Sequence, residues 1–321
     1  MEWQMIDKAV AGSSYVTCCI GVIFAFAFVY LVLRNYRKML PHDKGREFAV
    51  NGALSAGKPR GAGVVFVPVF IVAALMFDSM SAEKFIYLFL LAVEMMTGYL
   101  DDSAKVSWGE LKKGLLDLGV AAAAAVTYVV YNGSSLTMPI LRLQIHMNPV
   151  LYVILAIVLI WISINVTNCA DGVDGLSGTL TIVTLGSFML LDTFLGAMQY
   201  QIILFIVCIL AYQWYNAGPS LILMGDAGSR AMGFYIAIIA MKSGSPFMYI
   251  PLALVLILDG GLGLLKVSFI RYLKLKNFMA NVKTPLHDNV RKFRGWSDTQ
   301  TVYRFAIMQF MISLVAIYLA R

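Results

Sequence analysis

The chain alternates from end to end between long apolar stretches and short polar ones. Ten apolar stretches stand out, at 15–33, 62–77, 85–100, 116–131, 150–166, 180–195, 201–215, 231–241, 249–269 and 305–320. Nine of them run 15–21 residues, close to the length with which a helix crosses a hydrocarbon core of about 30 Å. Lipid cannot satisfy free backbone polar groups, so spans of this kind must be helices. The pattern predicts an all-α polytopic transmembrane bundle of about ten spans. The eighth stretch is short and its ends are indistinct. Ser297-Asp-Thr-Gln300 has the form of a capping box opening the last span. No solenoid repeat or low-complexity linker interrupts the pattern, so residues 1–321 form a single integral membrane domain on this reading.

Composition agrees with a lipid solvent. The chain is 60% hydrophobic and 13% charged, where soluble domains carry roughly 25% charged residues. That leaves too little polar surface for a water-exposed globule. The net charge of +7 is read as enrichment of Lys and Arg in cytoplasmic loops, not as a nucleic-acid surface. The four cysteines, Cys18, Cys19, Cys169 and Cys208, have no metal-site spacing.

Loop charge gives an orientation. The loop after the first span carries Arg34, Arg37, Lys38, Lys44, Arg46, Lys58 and Arg60, and the loop after the third carries Lys105, Lys112 and Lys113. The loop after the ninth runs from Arg271 through Lys276 and Lys283 to Arg304 and is equally basic. Even-numbered loops are poor in such residues, so odd loops are cytoplasmic and both termini are outside. Every acidic cluster with chemical potential then falls on the cytoplasmic side.

Asp101-Asp102 closes the third span. Adjacent carboxylates repel and are costly near a membrane, which a divalent cation would relieve, although a solvated helix end explains them equally well. Asn165-Val-Thr-Asn168-Cys-Ala-Asp171-Gly172-Val-Asp174-Gly175 follows the fifth span. Glycines allow close backbone approach and N–H groups that cradle phosphate, and the carboxylates suit Mg²⁺ or ribose and base donors. Asn216, then Met224-Gly225-Asp226-Ala-Gly228-Ser229, repeats the pattern after the seventh span. In the ninth loop, helical spacing would put His287 and Arg291 on one face, where Arg291 could clamp an anion. Asp259 lies inside the ninth span beside Gly260, Gly261 and Gly263. It marks either a groove or a paired structural carboxylate.

These motifs, in this order, resemble the polyprenyl-phosphate phospho-N-acetylhexosamine transferases, and most of all the bacterial phospho-MurNAc-pentapeptide transferases. The resemblance covers nearly the whole chain. Gly57-Lys-Pro59-Arg-Gly-Ala-Gly63 looks like that family's GTPTMGG segment with changed residues. Asp101-Asp102 is similar to its DD pair, Asn168 to Gly175 to its NLTDGLDG motif, and Met224 to Ser229 to its MGDxGS stretch. Pro285-Leu-His287 and Gly295-Trp296 look like the segment around its HHH and KGW motifs, except that Asp288 and Asn289 stand where the family has histidines.

The resemblance implies attack of undecaprenyl phosphate on UDP-MurNAc-pentapeptide at a bacterial inner membrane, giving lipid I and UMP with Mg²⁺. It implies catalytic roles for Asp101, Asp102, Asp226 and His287. It implies metal ligation by Asp226 and Asp171. Substrate binding would fall to Lys112, Asn168, Asp171, Gly172, Asp174, Asn216, Ser229 and Arg291. A homodimer is compatible with this reading, and the sequence does not fix it. Two other readings remain open at this point. One is a sister transferase acting on UDP-GlcNAc. The other is a secondary transporter, which should hold its acidic site near the midplane and not at one face.

Overall fold

The structure is a computed structural model. It describes residues 2–43, 45, 55–104, 106, 108–191, 194–275, 279 and 282–321, with side chains described from residue 15 onward except at 194 and 197. Lys44, Arg46, Lys105 and Lys276 of the basic loops lie outside the described residues.

Each of the ten apolar stretches coincides with a helix. In chain order these are α1 (Glu2–Tyr36), α2 (Gly63–Phe77), α3 (Ala82–Asp102), α4 (Glu110–Asn132) and α5 (Pro149–Cys169). They continue with α6 (Leu176–Leu191), α7 (Gln199–Asn216), α8 (Gly225–Lys242), the short α9 (Tyr249–Leu252) leading into α10 (Leu254–Tyr272), the amphipathic α11 (Leu286–Arg294) and α12 (Asp298–Ala320). Four helices are individually long and apolar enough to cross a membrane, within Tyr15–Met39, Glu110–Asn132, Pro149–Cys169 and Asp298–Ala320. A bent pair, Pro246–Leu252 with Leu254–Tyr272, makes a fifth.

The all-α expectation needs one correction. An antiparallel hairpin, β1 (Ser135–Met138) with β2 (Leu143–His146), follows α4. Its reversal is made by Pro139–Leu141 and by Arg142 in the left-handed region (φ 53°). The expected capping box is present, with Ser297 and Gln300 bonding reciprocally at the start of α12.

The core is organised around α8, whose residues Gly225 to Met241 are all buried. Small residues let its neighbours close on it. A Cβ on Gly98 of α3 would lie 2.5 Å from the Asp226 backbone, so only glycine admits this approach. Ser163 of α5 donates to the carbonyl of Gly233 at 2.7 Å. The ninth span does not bend at its glycines. It breaks at Ala253, with an 88° turn between its two halves. Backbone groups freed by such a break need partners inside a bundle. The fully buried Gln309 of α12 supplies both, accepting from the Val255 N–H at 2.7 Å and donating to the Pro251 carbonyl at 3.0 Å.

Candidate active site

Chain reversals bring the polar ends of α3, α4, α5 and α8 to one end of the bundle. Asp101 and Asp102 form the last turn of α3, Asn168 the last turn of α5, and Asp226 the first turn of α8. Asp226 is therefore on a helix N-terminus, where the dipole favours an anion, and not in a loop as the sequence pattern suggested. A short extended ribbon carries one more residue to this place. Asp43 N–H bonds the Lys58 carbonyl, Arg60 N–H bonds the Pro41 carbonyl, and Leu223 N–H bonds the Pro59 carbonyl. The ribbon thereby fixes Arg60 beside the start of α8.

Arg60 touches three carboxylates. Its Nη1 donates to Asp43 Oδ1 at 3.0 Å, its Nη2 to Asp226 Oδ1 at 3.0 Å, and its Nε lies 2.9 Å from Asp102 Oδ1 as an ion contact off hydrogen-bond alignment. Lys113 of α4 donates to Asp226 Oδ2 at 3.0 Å and pairs with Asp101. Asp101 also accepts the Trp108 N–H at 2.6 Å, and Asp102 accepts the Ala227 N–H at 3.2 Å. Four carboxylates (Asp43, Asp101, Asp102, Asp226) thus share two cations, leaving two uncompensated negative charges when all are ionised.

The titrations follow from this crowding, and all four groups concerned lie beyond the ends of the predicted spans. Burial pushes Asp102 up to about 6, aided by Asp226 and opposed by Arg60. Burial also works against Asp226, but Lys113 and Arg60 outweigh it and hold the carboxyl below its ordinary value. Asp43 is likewise buried, and Ser55 and Arg60 bring it below the usual range. The guanidinium of Arg60 loses hydration, yet Asp102, Asp226 and Asp43 raise its pKa further.

A second cluster adjoins the loop between α5 and α6. Asp174 accepts the Ser220 N–H at 3.0 Å and lies 3.7 Å from Lys58 Nζ. His287, on α11, is held by both oxygens of Asp259, through its N–H at 2.7 Å and its Nδ1 at 2.8 Å. This settles Asp259 as a paired carboxylate. A Cβ on Gly172 would fall 2.2 Å from His287 Nε2, so the ring abuts the glycine loop.

The other sequence candidates are placed differently. Asn216 spends its amide on the Gly175 N–H and the Ile222 carbonyl, tying two loops together while 5% exposed. Ser229 is fully buried and donates to the Gly225 carbonyl and to Asn168. Arg291 shares a face with His287, but it is engaged by Asp298 at 2.8 Å and Asp288 at 3.4 Å. Lys112 stands 3.4 Å over the Trp108 ring, turned away from the carboxylates that its neighbour Lys113 meets. Asp171 precedes Gly172 on the loop that the His287 ring abuts. Sequence reasoning missed Arg60 and Lys113 as site residues, having counted both as loop charge.

The fold and this site define a helical membrane protein that gathers carboxylates and cations at one end of its bundle, a pattern suited to phosphate chemistry. The comparisons agree. The family model described as glycosyl transferase family 4 matches residues 84–244. A phospho-N-acetylmuramoyl-pentapeptide-transferase of Treponema pallidum is 38% identical over 92% of this chain and 87% of its own length. Similarly named proteins of Clostridium acetobutylicum and Symbiobacterium thermophilum are each 28% identical, over 83% and 81% of the chain and 86% and 81% of their own lengths. The chain belongs to the phospho-N-acetylmuramoyl-pentapeptide-transferase family of membrane enzymes.

Proposed function

We propose that the protein transfers phospho-MurNAc-pentapeptide from its UDP derivative to undecaprenyl phosphate, releasing UMP and forming lipid I for peptidoglycan. The observation that carries this reading is the meeting of Asp101, Asp102 and Asp226 with Lys113 and Arg60 at one end of the bundle. Phosphoryl transfer is largely positioning and charge neutralisation, and this cluster supplies both. The lipid phosphate oxygen bonds the β-phosphorus as the bond from that phosphorus to the UMP oxygen breaks. Lys113 and Arg60 are the cations available to the diphosphate. A phosphate monoester has a second pKa of about 6, so the attacking group is mostly dianionic at pH 7. Asp101 and Asp102 then act by holding Lys113 and Arg60, not by removing a proton. Asp171, Gly172, Asp174, Asn168 and His287 form the adjoining part for the nucleotide, with Asp174 toward the uracil.

The donor set fits Mg²⁺. Its ligands are hard carboxylate oxygens, and two negative charges stand uncompensated. Among the described residues no three acidic, histidine or cysteine side chains are grouped to enclose a metal. Mg²⁺ needs no such cage, since it binds through one or two carboxylates plus substrate phosphates. Asp226 would hold it, with Asp171 the other candidate ligand, and bound Mg²⁺ supplies neutralisation of the diphosphate charge. The test is UMP release in the presence of undecaprenyl phosphate. Release is expected with UDP-MurNAc-pentapeptide and not with UDP-GlcNAc, and the reverse preference would overturn the reading. No release with either would leave transport to be considered.

The topology belongs to the same proposal. Ten spans, with the site on the cytoplasmic side of a bacterial inner membrane, put both termini outside. The support is the concentration of Lys and Arg in odd-numbered loops. A reporter fused after Arg321 is expected to be active only in the external compartment. A cytoplasmic signal would show that one helix does not span.

A further inference from the structure

Beneath the site lies a second polar layer that the proposed chemistry does not use. Arg230 is 1% exposed, its Nε donates to Glu94 at 3.0 Å, and its Nη2 pairs with Asp117. Glu94 and Asp117 are also fully buried, and Asp117 Oδ2 accepts Asn165 Nδ2 at 3.2 Å. The four residues come from α3, α4, α5 and α8, the same four helices that supply Asp101, Lys113, Asn168 and Asp226.

The spacing within each helix is the informative point. Glu94 precedes Asp101 by seven residues, Asp117 follows Lys113 by four, Asn165 precedes Asn168 by three, and Arg230 follows Asp226 by four. Each interval returns a helix to the same face. Every lower residue therefore lies below an upper one, one or two turns deeper in the bundle. At a rise of about 1.5 Å per residue, a slip of one turn in any helix would separate both layers together. The upper layer is half open, with Lys113 24% exposed, and its partners must also meet substrate. In the lower layer Asn165 is half-buried, but the three charged groups are closed off and have no alternative partner in a lipid interior.

We propose that the Glu94–Asp117–Asn165–Arg230 network is a positioning layer. It sets the axial register of α3, α4, α5 and α8 so that Asp101, Lys113, Asn168 and Asp226 come together. The inference rests on the transferase reading, and UMP release by the unaltered protein is its control. Absence of that release counts against the transferase reading, whereas the variants below compare only proteins that share it.

The experiment replaces the charged layer with apolar groups, Glu94→Leu, Asp117→Leu and Arg230→Met together. Buried ion triads exchanged for hydrophobic groups commonly leave stability intact. The thermal unfolding midpoint should be unchanged, KM for UDP-MurNAc-pentapeptide should stay within about twofold, and kcat should fall at least about tenfold, or 1.4 kcal/mol. Arg230→Lys, which keeps one cation in the layer, should recover part of kcat. Unaltered kcat in the triple variant overturns the proposal, and so does a fall in kcat that only parallels a fall in the unfolding midpoint. Should the triple variant not fold, Asn165→Leu decides alone, because it leaves the charged triad intact. A loss in kcat of about threefold or more at an unchanged midpoint supports the positioning role, and wild-type kcat overturns it.

Discussion

Asp226→Asn lowers turnover about a thousandfold while the protein remains folded. The carboxylate receives Arg60 on one oxygen and Lys113 on the other. Asparagine keeps the shape and removes the charge, so both cations lose their shared anion. The cluster also falls from two uncompensated charges to one, which weakens its hold on a divalent cation. Loss of a charged metal ligand removes several kcal/mol of transition-state stabilisation. A fall in kcat of about 10³-fold, or about 4 kcal/mol, is the expected size. The fold is expected to hold because each cation keeps another carboxylate, Arg60 with Asp43 and Asp102 and Lys113 with Asp101. UMP release at saturating Mg²⁺, measured beside the unfolding midpoint, checks it. Activity within about tenfold of the unaltered protein would sink the assignment of Asp226.

The helices were legible in the sequence because lipid leaves the backbone no alternative. Apolar length located a helix at each of the ten stretches, although their ends moved and the ninth is a bent pair, and four or five of these helices are long and apolar enough to cross a membrane. The shift at α8 matters most. Its apolar run suggests a start at Ala231, but Asp226, Ser229 and Arg230 are helical and buried too. The polar start of the helix is covered by other helices and not by lipid, which hydropathy cannot register. The hairpin at Ser135–His146 was missed for a related reason, being too short to stand out between two spans. The glycines beside Asp259 serve close helix contact, a Cβ on Gly260 falling 2.0 Å from the Val166 carbonyl oxygen, and the bend of the ninth span lies elsewhere. It falls at Ala253 because Gln309, distant in sequence, satisfies the backbone there.

The carboxylates of the site were legible for a different reason. Paired or glycine-flanked acids at span ends are costly without a partner, so Asp101, Asp102, Asp171, Asp174 and Asp226 declared themselves. Their cations did not. Arg60 and Lys113 fall outside the apolar runs, Lys113 in the first turn of α4, where the positive-inside pattern accounts for every Lys and Arg without appeal to a site. The lower layer was open to the same cost argument. Glu94 and Asp117 each interrupt an apolar run, and an ionised group within a span is a signal of an internal partner. What sequence could not supply is which partner, since Arg230 pairs with residues more than a hundred positions away.

Lys113→Met is the substitution that separates the sequence reading from the structure. The sequence pattern, through its resemblance to the transferases, points to Lys112 as the substrate-binding lysine, on phosphate or uridine. The structure gives that place to Lys113. Its ammonium bridges Asp101 and Asp226, and methionine would leave both carboxylates facing each other with only Arg60 nearby. It would also remove one of two cations available to the diphosphate. Loss of a preorganised charge at a reacting centre costs about 10²–10³-fold in kcat, or about 2.7–4 kcal/mol. Lys112 is exposed and rests on the Trp108 ring, a contact worth about 0.5–1 kcal/mol at such a site. Trp108 meets Asp101 through its backbone N–H, so loosening the ring leaves that bond in place. Lys112→Met should therefore cost no more than about fivefold. The two variants, assayed side by side for UMP release with folding verified, give opposite rankings under the two readings. A larger loss for Lys112→Met than for Lys113→Met would mean that the substrate-bound site is assembled around Lys112, and that the bridge from Lys113 to Asp226 opens before phosphate is engaged.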